Sequence, residues 1–194
     1  IDRSRGLGDV YKRQSDENEC WKMLSTGYDY NGPAAIRYPR GEGPGTDIVS
    51  NFENLKIGEA KILRDVSSDI VIFSFGNMLE LSKEIADELG CSLVDMRFIK
   101  PLDENLIRRF ASNCKHIISI EENTISGGAG SAVNEYLSSI GFAEKLTIFG
   151  VPDEFPIVGS QIDQREAAGL TKTEILKKLA SKINLENINK KVSA

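Results

Sequence analysis

At 194 residues the chain is long enough for one domain, or for one domain and part of another. A hydrophobic share of 40% beside 27% charged residues is that of a soluble globular protein, and a net charge of -5 argues against a general nucleic-acid binder, which needs a basic face. No apolar run approaches the roughly 20 residues of a membrane helix, and the charged amino terminus lacks the apolar core of a signal peptide.

The first 14 residues, IDRSRGLGDVYKRQ, carry six charges and two glycines without usable periodicity. The stretch Asp9 to Gln14 resembles a translated transposase adapter, so residues 1–14 are read as non-native and left out of the fold. Residues 15–41 follow as a helix and a strand. Asp16 with Glu19 has capping-box spacing, and Trp21, Leu24 and Tyr28 recur at helical spacing. Gly27 or the Asn31-Gly32 pair ends this helix. Pro33 to Tyr38 reads as a short strand stopped by Pro39. Residues 42–54, rich in glycine and polar side chains, read as a linker.

From Leu55 the pattern alternates. Strands are expected at Ala60–Arg64, Ile70–Phe75, Ser92–Arg97, Ile117–Ile120 and Leu146–Gly150. Helices are expected at Met78–Leu89, Glu104–Asn113, Ala129–Ile140 and Thr173–Lys182. Continuous apolar runs such as Ile70-Val71-Ile72-Phe73 suit strands covered on both faces. The expected fold is therefore α/β, a doubly wound and mostly parallel five-stranded sheet over residues 55–184, able to fold by itself. Gly76 or Asn77 is positioned to cap the first of these helices and Asp103 the second. The polar tail 185–194 is expected to fray.

Several residues have the chemistry of a site. Arg37-Tyr38-Pro39-Arg40-Gly41 puts two guanidinium groups at a strand end, which suits a phosphate or carboxylate; it equally suits a turn whose arginines pair with surface carboxylates. Glu121-Glu122-Asn123 closes a strand at the end where open α/β sheets bind ligands. Its carboxylates could be acid/base groups, but neighbours on a strand face opposite sides, which also fits one capping amides while the other pairs across an interface. The run Gly127-Gly128-Ala129-Gly130 could seat an anion at a helix start or let that helix approach the sheet closely. It matches no dinucleotide or P-loop motif. Phe149 to Gln161 reads as a strand end and an irregular segment near a contact. Cys20, Cys91 and Cys114 follow no metal or redox spacing and read as reduced thiols of a cytosolic protein. His116, the one histidine, opens a strand and reads as structural.

Taken together, SDENECWKMLSTGYDYNGPAAIRYPRG, VDMRFIKPLD, EENTISGGAGSAVNEYL and GVPDEF resemble, in this order, the 1-deoxy-D-xylulose-5-phosphate synthase family of the transketolase superfamily. The likeness runs from Ser15 to about Lys182. It implies a cytoplasmic, homodimeric transferase that uses thiamine diphosphate and Mg2+ to condense pyruvate with glyceraldehyde 3-phosphate with loss of CO2, for isoprenoid, thiamine and pyridoxal synthesis. It also implies that residues 15–41 end a pyrimidine-binding domain and that residues 55–184 are the carboxyl-terminal, dimer-forming domain. The family's metal motif, catalytic histidines and ring-activating glutamate are absent, so the chain is expected to be an inactive carboxyl-terminal fragment that binds neither cofactor nor metal and holds no catalytic residue. By the resemblance, Arg40, or else Arg37, holds the aldehyde's phosphate. No nucleic-acid or membrane partner is expected. Two other readings stay open: a non-catalytic assembly subunit of a split transketolase-like or 2-oxoacid dehydrogenase-type enzyme, and a flavodoxin-like domain that binds another small anion.

Overall fold

A computed structural model describes residues 10–13 (backbone only), 15–38, 45–47, 49, 53–155 and 158–183. Strand β1 (Val10–Arg13) comes first, then helix α1 (Glu17–Asp29) and strand β2 (Ala34–Arg37). Asp16 caps α1 by accepting from the Glu19 amide at 2.8 Å. Glu19 does not complete a capping box; its carboxylate turns instead to Arg97. Tyr30 closes the helix just before Asn31-Gly32. The Trp21, Leu24 and Tyr28 face points outward, Tyr28 being 91% exposed, while Met23 and Thr26 are buried.

The main sheet is built from β3 (Lys61–Arg64), β4 (Ile70–Ser74), β5 (Ser92–Asp95), β7 (His116–Thr124) and β8 (Leu146–Val151), in the order β3-β5-β4-β7-β8. Four strands run parallel; β3 alone is antiparallel, pairing Lys61 with Asp95. Helices α2 (Leu79–Leu89), α3 (Glu104–Asn113) and α4 (Ala129–Ser139) make the crossovers, and α6 (Lys172–Lys182) closes the domain. The expected five-stranded, mostly parallel sheet is therefore found, with the expected helices.

Strand alternation divides the core into two layers. Ile70, Ile72, Leu93, Ile118 and Ile120 pack under α2 and α6, against Ile85, Ile175 and Leu179. Val71, Phe73, Val94 and Ile117 face the other way, onto Ile107, Phe110, Val133 and Leu137 of α3 and α4. Asp103 caps α3 through the Leu106 amide at 3.0 Å, and its second oxygen accepts from the Ala60 amide at 3.0 Å, fixing the approach to β3. Neither Gly76 nor Asn77 caps α2 by a side chain; a buried 3-10 turn, Gly76–Met78, leads into it, with Gly76 at φ 65°.

Three elements lie outside the sequence expectation. Val10–Arg13, set aside as non-native, pairs parallel with β2 and antiparallel with β6 (Phe98–Lys100), making a second, three-stranded sheet. Helix α5 (Gln161–Ala167) follows the expected irregular segment, where no helix was expected; Ser160 and Asp163 form its capping box. The tail from residue 184 and most of the expected linker lie outside the described residues. Where the linker is described, Glu17 accepts from the Gly45 amide at 2.7 Å and Asn18 donates to the Asp47 carbonyl at 2.9 Å, so these residues are tied to α1.

Candidate functional site: the carboxyl end of β7

Strand order reverses between β4 and β7, the position at which a doubly wound sheet opens a ligand crevice. Here the protein fills it. Phe75 and Met78 are fully buried, and the Phe75 amide donates to the Ile120 carbonyl at 3.0 Å. Beside them lies Glu121, with no solvent exposure.

Glu121 takes the place of a ligand anion. Its Oε2 accepts from the Ala129 amide at 2.8 Å and its Oε1 from the Gly130 amide at 2.7 Å. These are first-turn amides of α4, unpaired within the helix and at its positive end. The neighbouring glycines make room for the carboxylate. A Cβ at Gly128 would lie 2.6 Å from both Glu121 oxygens and 2.3 Å from the Thr124 carbonyl oxygen. One at Gly130 would lie 2.7 Å from Ser119 Oγ. The glycine run thus serves close packing around an internal anion.

Each residue of the Glu-Glu-Asn trio reaches a different element. Glu122 points away from Glu121, as alternation requires, and its Oε1 accepts from Arg165 Nε of α5 at 2.8 Å. Asn123 Oδ1 accepts from Arg37 Nη1 of β2 at 2.9 Å. One carboxylate caps amides and the other pairs with a distant helix; neither is placed to share a proton with the other. Arg37 is thereby brought to the strand-end region, while Arg40 lies outside the described residues.

A second polar cluster closes the end of β5. Asp95 is buried and accepts from Ser15 Oγ at 2.9 Å and from the Arg97 amide at 3.2 Å. Burial, opposed by the Ser15 hydrogen bond and reinforced by the nearby Glu19 charge, pushes its carboxyl up to about 6. Arg97 takes a left-handed backbone (φ 52°) and pairs with buried Glu19 at 2.8 Å. Ser15, Glu19, Asp95 and Arg97 therefore join α1 to the main domain. Their residues stood in the sequence blocks already quoted, but a contact across about 80 positions has no local signal.

His116 sits at the opposite, amino end of β7, and burial lowers its pKa. All three cysteines are free thiols. Burial raises each of them, Cys91 to about 12. Among the described residues no group of three or more His, Cys, Asp or Glu could hold a metal ion. The amides at the start of α4, which could otherwise seat an anionic group such as a diphosphate, are already held by Glu121. No helix is long and apolar enough to cross a membrane among these residues.

Comparison with known proteins adds the following. Residues 58–175 match the family described as "Transketolase, C-terminal domain". The chain is 46% identical over 174 residues to the 1-deoxy-D-xylulose-5-phosphate synthase of Hahella chejuensis, covering 88% of this chain and 27% of that protein. It is 48% identical over 170 residues to the synthase of Hamiltonella defensa, with the same two coverages of 88% and 27%. It thus spans about a quarter of the length of these relatives. Among solved structures, a split-gene transketolase in an inactive beta4 tetramer superposes with a TM-score of 0.71 at 23% identity, over 95% of this chain and 57% of that one. A transketolase from Campylobacter jejuni gives 0.64 at 20% identity, over 89% of this chain and 26% of that one. These two likenesses concern the fold alone.

Proposed function

This chain belongs to the transketolase C-terminal domain family, and we propose on that premise that it serves as the carboxyl-terminal part of a 1-deoxy-D-xylulose-5-phosphate synthase. The observation that carries the proposal is the 46% identity to the Hahella chejuensis synthase over 88% of the chain. The whole enzyme, in this reading, is cytoplasmic and homodimeric and joins pyruvate to glyceraldehyde 3-phosphate with loss of CO2. Thiamine diphosphate, held with Mg2+ by the rest of the enzyme, supplies the electron sink for decarboxylation when bound.

This chain's own contribution is support and binding. Residues 15–41 complete a pyrimidine-binding domain, residues 42–54 link it onward, and residues 55–184 form the assembly domain. Arg40, or else Arg37, holds the phosphate of the aldehyde. A guanidinium fork matches phosphate oxygens bidentately and cannot lose its proton at working pH, so the anchor keeps its charge throughout turnover. The chain by itself is inactive.

Two measurements test this. The full-length polypeptide is assayed for CO2 release from pyruvate that depends on glyceraldehyde 3-phosphate; no such dependence overturns the synthase reading. The 194-residue chain is titrated calorimetrically with thiamine diphosphate and Mg2+, where tight stoichiometric heat overturns the inactive-fragment reading.

A second reading, a non-catalytic assembly subunit of a split enzyme, draws on the likeness to the split-gene transketolase chain. Genomic sequence upstream of Ser15 separates the two. A continuous frame encoding further domains favours the fragment, and a start codon there favours the subunit.

A further inference from the structure

We propose that Asn123 is a positioning residue for the phosphate-bearing substrate, acting through Arg37. The inference rests on the synthase reading, takes Arg37 of its two candidate arginines as a phosphate anchor, and deepens its substrate site. Arg37 ends β2, exposed to solvent, and its one side-chain tie to the main domain among the described contacts is the 2.9 Å bond to Asn123 Oδ1. A guanidinium carries five N–H donors in one plane. One bond to an amide oxygen therefore fixes that plane and leaves donors for an oxyanion.

The chemistry of the trio makes the choice of partner informative. Asn123 is the neutral member, and it is the one that meets the arginine. A carboxylate there would pair with the guanidinium and compete with an incoming phosphate. Both neighbouring carboxylates are committed elsewhere, Glu121 to the α4 amides and Glu122 to Arg165. Arg37 is thus held without being neutralised.

The platform beneath Asn123 is rigid. Thr124 pairs with Val151 of β8, and the Ile125 amide donates to the Val151 carbonyl at 3.0 Å. A Cβ at Gly150 would lie 2.8 Å from the Asn123 carbonyl oxygen, so the strands are in close contact there. An arginine fixed on such a platform has already lost much of the rotamer freedom that phosphate binding would otherwise have to remove.

The test uses the full-length enzyme carrying this chain. Asn123→Ala is expected to raise KM for glyceraldehyde 3-phosphate about threefold to tenfold, the range for one ordinary solvent-exposed hydrogen bond. KM for pyruvate and for unphosphorylated glyceraldehyde should stay within about twofold, and the Asn123→Ala effect should vanish in an Arg37→Ala background. Asn123→Ser, which withdraws the same oxygen with less loss of volume, guards against a folding defect. Equal rises for phosphorylated and unphosphorylated acceptors, a change in kcat alone, or an undiminished effect in the Arg37→Ala background overturns the inference. If wild-type enzyme shows no dependence of CO2 release on the aldehyde phosphate, the synthase reading fails and this inference with it. If wild type is active and the variants keep its KM, only the inference fails.

Discussion

Replacing Glu121 by glutamine separates an internal helix cap from an ordinary surface charge. The carboxylate is fully buried and takes two charge-assisted bonds, at 2.8 and 2.7 Å, from the Ala129 and Gly130 amides. Glutamine has nearly the same shape but only one acceptor oxygen. Its NH2 group must face an amide N–H, so one bond becomes an opposed pair of donors in a site closed to water. Losing one hydrogen bond to a charged group costs about 1.5–3 kcal/mol, and the stranded donor adds to it. The expected loss is about 3 kcal/mol, a large share of the 5–15 kcal/mol that ordinarily holds a domain together. With a urea slope of about 2 kcal/mol/M, the midpoint should fall by about 1.5 M at unchanged slope. Glu122→Gln is the internal control, because its partly exposed pair with Arg165 should contribute no more than about 1 kcal/mol. Urea unfolding of the 194-residue chain and both variants decides the matter. Equal losses at 121 and 122, or a loss below about 1 kcal/mol at 121, would refute the reasoning.

Three further expectations follow from the polar cluster and the thiols. Asp95 has a folded pKa of about 6 against an ordinary 3.8, so the fold binds its proton more tightly than the unfolded chain does. Its favourable contribution is complete below about pH 4 and is lost as pH rises through about 6. The stability of wild type minus that of Asp95→Asn should fall by up to about 3 kcal/mol over that window, and a flat difference from pH 4 to 7 in urea melts contradicts the assignment. Arg97→Gly relieves a left-handed backbone worth about 1 kcal/mol but leaves buried Glu19 with Lys22, at 3.5 Å, as its remaining ion-pair partner among the described residues, which costs about 3 kcal/mol, the low end for a broken buried pair. A net loss of about 2 kcal/mol is expected, and a stabilised variant would show that strain dominates. Buried Cys91 and Cys114, both with raised pKa values, should resist Ellman's reagent at pH 8 until urea exposes them; rapid labelling of all three thiols in the native chain rules this out.

The main sheet was legible because strands buried on both faces must be apolar throughout, and Ile70 to Ser74, buried at every position, is the clearest case. Helices α3 and α4 were legible from Asp103 and from the glycine run, both of which work through local geometry. Helix α5 escaped notice although its Ser160 and Asp163 have capping spacing, because it buries no residue and so shows no apolar stripe. Strands β1 and β6 have three or four residues, too few for a period to emerge, and are defined by partners far along the chain. At the candidate site the trio's division of labour followed from alternation, with one carboxylate on amides and one on an ion pair. Its partners did not: Arg165 lies 43 positions from Glu122, and Arg37 lies 86 from Asn123.

The direction of the edge strand β3 has an architectural effect. Because Lys61 pairs with Asp95, at the carboxyl end of β5, the polypeptide comes into the main domain from the side where the parallel strands finish. A parallel β3 of the same four residues would start about 10 Å away, at the opposite end of the strand. Reversing one strand keeps β2 beside the strand ends, so an arginine at residue 37 can meet an asparagine at residue 123. The sheet's outermost ribbon thus serves as a hinge plate that decides which rim of the domain its upstream neighbour is mounted on.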